Sequence, residues 1–371
     1  MKITLFNAGN GDCILIQSAS TNILIDGGTS SSFEHWYPEI KRLDKLDAIF
    51  ITHIDNDHTN GIIRLLEQNK QEEVPLEIKN IYFNGIKQLF SEEYSERDED
   101  NVSNDKFDAI KASFEEIIGQ EEIGFSEGTS LSYILKEENT NSTLIHNKTF
   151  QEPLLIGDFS IDIISPTLSS LNELKSLWKD ILRERQVKKK VLTKNHTDAF
   201  ETYINSLNNQ LTTDYEVSGN NYSTIDEYAS SVYEKDSSLA NETSFSLLMK
   251  CDGKSFLMLG DAHIETILDW IGNERLSVDA VKVSHHGSKH NIKKEFLELL
   301  NCNNYLISTN GKKHKHPDLE TLSRIAKFSK KESTNILINN NIADITDEIV
   351  DMFKNYTKST VITMEAKEIY L

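Results

Sequence analysis

The chain has 371 residues, 38% of them hydrophobic, and a formal net charge of −20. That length allows a large buried core, and no apolar run approaches the eighteen residues of a membrane span. The charge repels polyanions at long range, which argues against a broad nucleic-acid-binding surface but leaves room for a local basic groove or a phosphate held through metal ions.

Residues 2–28 read as two or three strands joined by tight turns, with Ile14-Leu15-Ile16 and Ile23-Leu24-Ile25 apolar and Gly9, Gly11, Gly27 and Gly28 as punctuation. The N-terminus enters this strand pattern directly, without the features of a secretion signal, so a cytoplasmic location is expected. Ala48-Ile49-Phe50-Ile51 reads as a buried strand, and residues 60–69 as a helix after it. Residues 86–135 are acidic and predicted helical; 91–126 hold twelve acids against three bases. Residues 154–165 return to strand. In 168–240, Leu171, Leu174, Trp178, Ile181 and Leu182 make one helical face, followed by a Lys/Arg-rich stretch (eight bases against two acids in 175–195) and a polar stretch. This segment reads as an inserted helical element or flexible cap: a solvated insert, a basic arm or an oligomer contact. From Ser244 strands and helices alternate, an α/β pattern. Cys13, Cys251 and Cys302 lie far apart beside apolar runs and read as buried reduced thiols.

Chemistry concentrates at the strand ends. Thr52-His53-Ile54-Asp55-Asn56-Asp57-His58 places four metal-binding groups within six residues. Such a group needs a cation, because buried carboxylates and imidazoles otherwise suffer desolvation and mutual repulsion; the bland alternative is an Asp/Asn-rich turn with incidental histidines. Three further apolar strands run into Gly260-Asp261, into Ser284-His285-His286-Gly287-Ser288, and toward Lys313-His314-Lys315-His316-Pro317. Eight of the eleven histidines (53, 58, 263, 285, 286, 290, 314 and 316) lie at or just beyond these ends.

Taken in order, these motifs resemble the metallo-β-lactamase fold. More narrowly they are similar to the hydrolase domain of the competence protein ComEC and its stand-alone relatives. The residues carrying the resemblance are Asn7 to Asp12, Leu24 to Gly28, Thr52 to His58, Asn241 to Ser244, Leu259 to Asp261, Val283 to Ser288 and His316-Pro317. It implies a single αββα sandwich over 1–371, two facing mixed sheets with outer helices, carrying an acidic, helical insert at about 86–135 and a polar/basic helical insert at about 168–240. It also implies two divalent ions, Zn2+ or Mn2+. His53 and Asp55 are expected to hold one, Asp57 and His58 the other, with Asp261 bridging and His285 completing the second site. Asp57, His286 and His316 are the catalytic candidates, with His286 beside His285 as ligand or substrate contact, and Asn241, Ser244 and Ser288 support the site. Many members place a further histidine between the first cluster and the bridging Asp; here His146 is the candidate ligand, with His196 behind it. Asp55, where most members have His, shifts the metal toward manganese.

Two such ions lower the pKa of a bound water from about 15.7 to near 7. The expected activity is metal-dependent hydrolysis, first of a phosphodiester: a nuclease acting on DNA, RNA or a nucleotide, or a defence effector under a regulator. Lys188-Lys189-Lys190 and Lys312, Lys313 and Lys315 are candidates to neutralise phosphates. The alternatives are a hydrolase of a lactone, thioester or β-lactam, and a non-catalytic binding protein. The inserts are where a protein regulator or a second copy would act.

Overall fold

The structure, a computed structural model, describes residues 1–96, 101–118, 130–212, 223–357 and 359–371. Two sheets face each other. The first has six strands, in the order Glu368–Tyr370, Lys2–Leu5, Ile14–Gln17, Asn22–Ile25, Ala48–Phe50 and Ile81–Tyr82. The second has eight: Ser359–Thr363, Ser333–Ile338, Asn304–Ile307, Ala280–Lys282, Lys254–Met258, Ser246–Cys251, Phe159–Ser165 and Leu154–Ile156.

The strands are continuous apolar runs because both faces of each sheet are covered. Side chains alternate between the faces. Ile14, Ile16, Ile23, Ile25 and Phe50 point inward, where they meet Ile161, Leu247, Phe256, Met258 and Leu306 of the opposite sheet. Leu15, Leu24 and Ile49 point outward and are covered by the helices Phe33–Ile40 and Asn56–Gln71. Leu257, Val281, Tyr305 and Ile336 do the same for the second sheet, under Ile264–Ile271, Lys294–Leu299, Leu319–Phe328 and Asp347–Lys354. The result is the αββα layering of the metallo-β-lactamase fold.

The segment expected as a helical element or flexible cap is packed. Leu171, Leu174 and Trp178 of helix Leu168–Glu184 join the core beneath it: Trp178 stacks with His196 and meets Phe200 edge-on, both on helix Lys194–Thr212, and Phe107 of helix Asn101–Ile118 stacks on the same His196. His196 is completely buried there: Trp178 Nε1 donates to its Nε2 at 2.9 Å, and its Nδ1 lies 2.6 Å from the Val191 carbonyl. Val191–Leu192 pairs in parallel with Ser95–Glu96. The helices at 101–118, 168–184 and 194–212 of the two inserts therefore contribute to one layer over the first sheet, while Ile225–Ala229 packs against helix Leu319–Phe328 over the second. Their parts at 97–100, 119–129 and 213–222 lie outside the described residues. Cys13, Cys251 and Cys302 are free and buried. Among the described residues no helix is long and apolar enough to cross a membrane.

Strand direction positions the site. Asn22–Ile25 and Ala48–Phe50 are parallel, as are Lys254–Met258, Ala280–Lys282 and Asn304–Ile307. Their carboxyl ends therefore open on one edge of the sandwich, where open α/β sheets bind ligands. Ile14 faces Ile25 across an antiparallel pair, so the loop before Ile14 arrives at the same edge. Phe245 N donates to Thr52 O at 2.9 Å and Ser308 Oγ to Gly11 O at 2.8 Å, tying the sheets together there.

Candidate metal centre

Each residue at this edge is carried by a sharp exit from a strand. Asp26 (φ 55°), His285 (φ 46°) and His286 (φ 54°) adopt left-handed backbone. That costs about 1 kcal/mol or more for a residue with a Cβ, and such strain gathers where the surrounding structure over-determines a functional position. The loops also approach too closely for side chains. A Cβ on Gly11 would fall 1.6 Å from the Asp57 carbonyl oxygen, and one on Gly61 would fall 1.8 Å from that of Gly27. The glycines thus let the loop at 7–12 and the turn at 26–28 seat directly on the start of helix Asn56–Gln71.

Four sets of ligand atoms come within 4.8 Å of one another: His53, His58 and Asp261; Asp57, His58 and His286; Asp12, Asp26 and His58; and Asp12, Asp261 and His286. His58 enters three of the four sets, and Asp261 Oδ2 lies 3.4 Å from His58 Nε2 and 3.3 Å from His286 Nε2. His286 Nε2 is also 3.8 Å from Asp57 Oδ2, and His53 Nε2 is 3.2 Å from Asp55 Oδ2. The other ring nitrogens are occupied. His58 Nδ1 lies 2.8 Å from Asp26 Oδ2, His286 Nδ1 2.9 Å from the Ser308 carbonyl, and His53 Nδ1 3.0 Å from Thr52 Oγ1. Buried Nε2 atoms of His53, His58 and His286 are left with no hydrogen-bond partner. Imidazoles that meet carboxylates in adjoining groups, each oriented through its far nitrogen, are donor sets that fit divalent cations.

The electrostatics agree. Burial works against ionisation of Asp57 and Asp261, but His58 and His286 outweigh it and hold both carboxyls below their usual range. Burial pulls the two imidazoles down, yet Asp261, with Asp26 beside His58 and Asp12 beside His286, raises both; His286 reaches about 10. A metal ion competes with these protons for the same nitrogens.

The structure brings His53, Asp55, Asp57, His58 and Asp261 to one pocket. The adjacent histidines are aimed differently. His286, expected as a ligand or a substrate contact, enters the ligand sets. His285, read as the ligand completing the second site, enters none of them: its Nδ1 turns to Asp236 Oδ2 (3.2 Å) and Asn291 Oδ1 (3.0 Å). The physical reason is the left-handed turn, which aims consecutive rings differently, and the Ser308 carbonyl, which anchors the second. His316 stands at the rim, its ring 5.6 Å from that of His285 and its Nδ1 3.3 Å from Asp318. Ser244 Oγ accepts the Asp261 amide at 3.1 Å, Asn241 Nδ2 donates to Asp236 at 2.9 Å, and Ser288 Oγ accepts from the His290 amide at 3.3 Å. His146 lies elsewhere, beside Phe150, Asp162 and Trp270, with its Nδ1 accepting from the Lys148 amide. His196 is in the insert core.

Asp12, Asp26, Lys282, Asn10 and Asp236 belong to this site without having been assigned a part from the sequence. Asn10 Nδ2 donates to Asp57 Oδ2 at 2.7 Å. Asp12 and Asp26 carried a signal, since each sits at a glycine beside an apolar strand as Asp261 does. Asp236, inside the polar stretch, carried none.

A family model described as the metallo-beta-lactamase superfamily matches residues 6–134, the stretch that supplies Asp12, Asp26 and His53 to His58. Microtubule-associated protein 1A from Rattus norvegicus is 35% identical over 68 residues, 18% of this chain and 2% of that protein. The chain thus spans only a small part of the curated relatives it matches. Two solved structures are similar along the whole chain. The metallo-beta-lactamase fold protein YhfI from Bacillus subtilis is 13% identical, covering 100% of this chain and 99% of that one, with a TM-score of 0.39. Zn(2+)-bound PqqB from Methylobacterium extorquens is 11% identical, with 100% of each covered and a TM-score of 0.41. The family model matches about a third of the chain, and the two facing sheets with outer helices have the layering of the metallo-beta-lactamase fold.

Proposed function

We propose that this chain is a metal-dependent hydrolase, a phosphodiesterase or nuclease of the ComEC-like kind, acting on DNA, RNA or a nucleotide. The observation that carries the reading is the meeting of His58 Nε2, His286 Nε2 and Asp261 Oδ2 within 3.4 Å, with Asp57 beside them. His53, Asp55, His58, Asp57, Asp261 and His286 would hold two divalent ions, of zinc or manganese. Such ions supply an acidified water at neutral pH and stabilise charge on the group under attack.

The chain's own residues do the rest. Asn10 orients Asp57, which is half-buried and so faces both the cluster and the substrate side. His285, held by Asp236, and His316, held by Asp318, line the rim where a phosphoryl oxygen or leaving group would lie, and each has a nitrogen to donate to it. The loop at 310–316 adds positive charge: Lys313 is among the groups that lower the pKa of Asp57. That local charge favours an anionic substrate despite the acidic surface, and it sets the phosphodiester reading above a lactone, thioester or β-lactam.

The test is cleavage of labelled single- and double-stranded DNA and RNA, and of chromogenic phosphodiesters and esters, with each divalent metal in turn. Phosphodiester cleavage that Asp57→Ala and His286→Ala each reduce at least about 100-fold is expected. Cleavage of esters alone, or rates unchanged in both variants, would overturn it.

A further inference from the structure

Lys282 ends its strand pointing into the interior and is completely buried. Its ammonium forms an ion pair with Asp12, equally buried, lies 3.6 Å from Asp261 Oδ1, and donates to the Gly260 carbonyl at 3.3 Å. Asp12 in turn lies 3.5 Å from His286 Nδ1. A buried ion pair is a poor source of stability, because desolving both charges offsets most of their attraction. Its position explains it better than its energy.

The pair spans the two sheets. Asp12 comes from the loop before Ile14–Gln17 in the first and Lys282 from Ala280–Lys282 in the second. Each end touches one of the two groups that meet 3.3 Å apart at the centre of the site. The carboxylate of Asp261 is divided as a result: Oδ1 faces Lys282, and Oδ2 faces His58 and His286. Rotation of that carboxylate would draw an oxygen away from the ammonium, so Lys282 opposes it. Asp12 backs the imidazole of His286 in the same way, together with the Ser308 carbonyl. There is a second consequence. Asp12, Asp261 and His286 are themselves close enough to hold a cation. With the ammonium of Lys282 already against both carboxylates, a dication is directed outward, to the faces of His53, His58 and Asp57.

We infer that the buried Asp12–Lys282 pair is a positioning device for the metal centre: a resident cation and its partner that fix which oxygen of Asp261 and which nitrogen of His286 a divalent ion meets. The inference rests on the metal-centre reading above. Orientation of ligands from behind is worth about 10- to 100-fold in metal affinity.

The experiment compares the wild-type chain with Asp12→Asn/Lys282→Met, which removes the pair without leaving one charge buried alone. Folding is monitored by thermal melting, affinity by competition titration with Zn2+, and ligand geometry by the visible absorption of bound Co2+. A folded double variant that binds Zn2+ at least about tenfold more weakly, with a changed Co2+ spectrum, is expected. A folded double variant with wild-type affinity and spectrum overturns the inference and leaves the metal centre standing. A wild-type chain that binds neither ion overturns both. If the double variant has no melting transition, Asp12→Leu/Lys282→Leu, an apolar pair, takes its place with the same two outcomes.

Discussion

Asp26 Oδ2 sits 2.8 Å from His58 Nδ1, and both side chains are fully buried. The same carboxylate accepts from Thr52 twice, at the amide and at the hydroxyl, each at 2.7 Å. Asp26 therefore fixes the ring of His58 and leaves its Nε2 to face Asp261. Asp26→Asn should fold, since an amide occupies the same space, but it should weaken divalent-ion binding by about 10- to 100-fold. Isothermal titration with Zn2+ or Mn2+ checks this; an unchanged affinity would remove Asp26 from the site.

The insert reaches the metal loop directly. Asn205 Oδ1, on helix Lys194–Thr212, accepts the Asn56 amide at 3.0 Å, at the first turn of helix Asn56–Gln71. The first amides of a helix have no partner within it. Asn205→Ala should lower unfolding stability by about 1 kcal/mol and weaken metal binding a few-fold. Equilibrium urea unfolding with and without Mn2+ measures both. Identical curves for variant and wild type would mean that the insert does not support the loop.

Acid should loosen the insert through His196. Burial lowers its pKa from 6.5 to about 4, against the opposing effect of the Val191 carbonyl. Its two hydrogen bonds suit a neutral ring, which donates from Nδ1 and accepts at Nε2. In the unfolded chain the ring takes up a proton below about 6.5, and in the folded chain only near 4. The stability from neutral His196 is present above about 6.5 and falls as pH drops toward 4. Between pH 7 and 5 the loss is about 2 kcal/mol. Urea midpoints at the two pH values should differ less in His196→Gln than in wild type; an equal difference would assign the acid sensitivity to other groups.

The lysine-bearing loop should act on substrate rather than on metal. Lys312→Ala/Lys313→Ala should raise KM for a phosphodiester by about tenfold, leave Zn2+ affinity within twofold, and reduce the salt dependence of KM. Steady-state kinetics at two ionic strengths decide this, and an unchanged KM would return these lysines to the solvated surface.

The layers and the site's position were legible because two periodicities and one chemical rule coincide. Apolar runs at 14–16, 23–25, 48–51 and 256–259 are too short for helices and too apolar for a one-sided sheet, so they had to lie between covered faces. Polar ligands placed at their ends then had to meet wherever parallel strands finish. The different aim of the His285 and His286 rings was not legible. It depends on a left-handed turn and on a carbonyl supplied by Ser308, more than twenty residues away. Asp236 was hidden for a similar reason: it lies in a polar stretch, and only the fold brings it to His285, Asn241 and Asn291. The choice between a helical element and a flexible cap was open because the Lys/Arg-rich exterior of the insert dominates its composition, while Trp178, His196 and Phe200, which hold it together, are few and widely spaced.

Metal content is the most direct measurement. The chain, dialysed against Zn2+ and Mn2+ separately and then against metal-free buffer, is analysed by inductively coupled plasma mass spectrometry beside Asp261→Asn and His286→Ala. Retention of a divalent ion by the wild-type chain and its loss from both variants is expected. A wild-type chain that keeps no ion, or variants that keep as much as wild type, would contradict a metal centre built around Asp261.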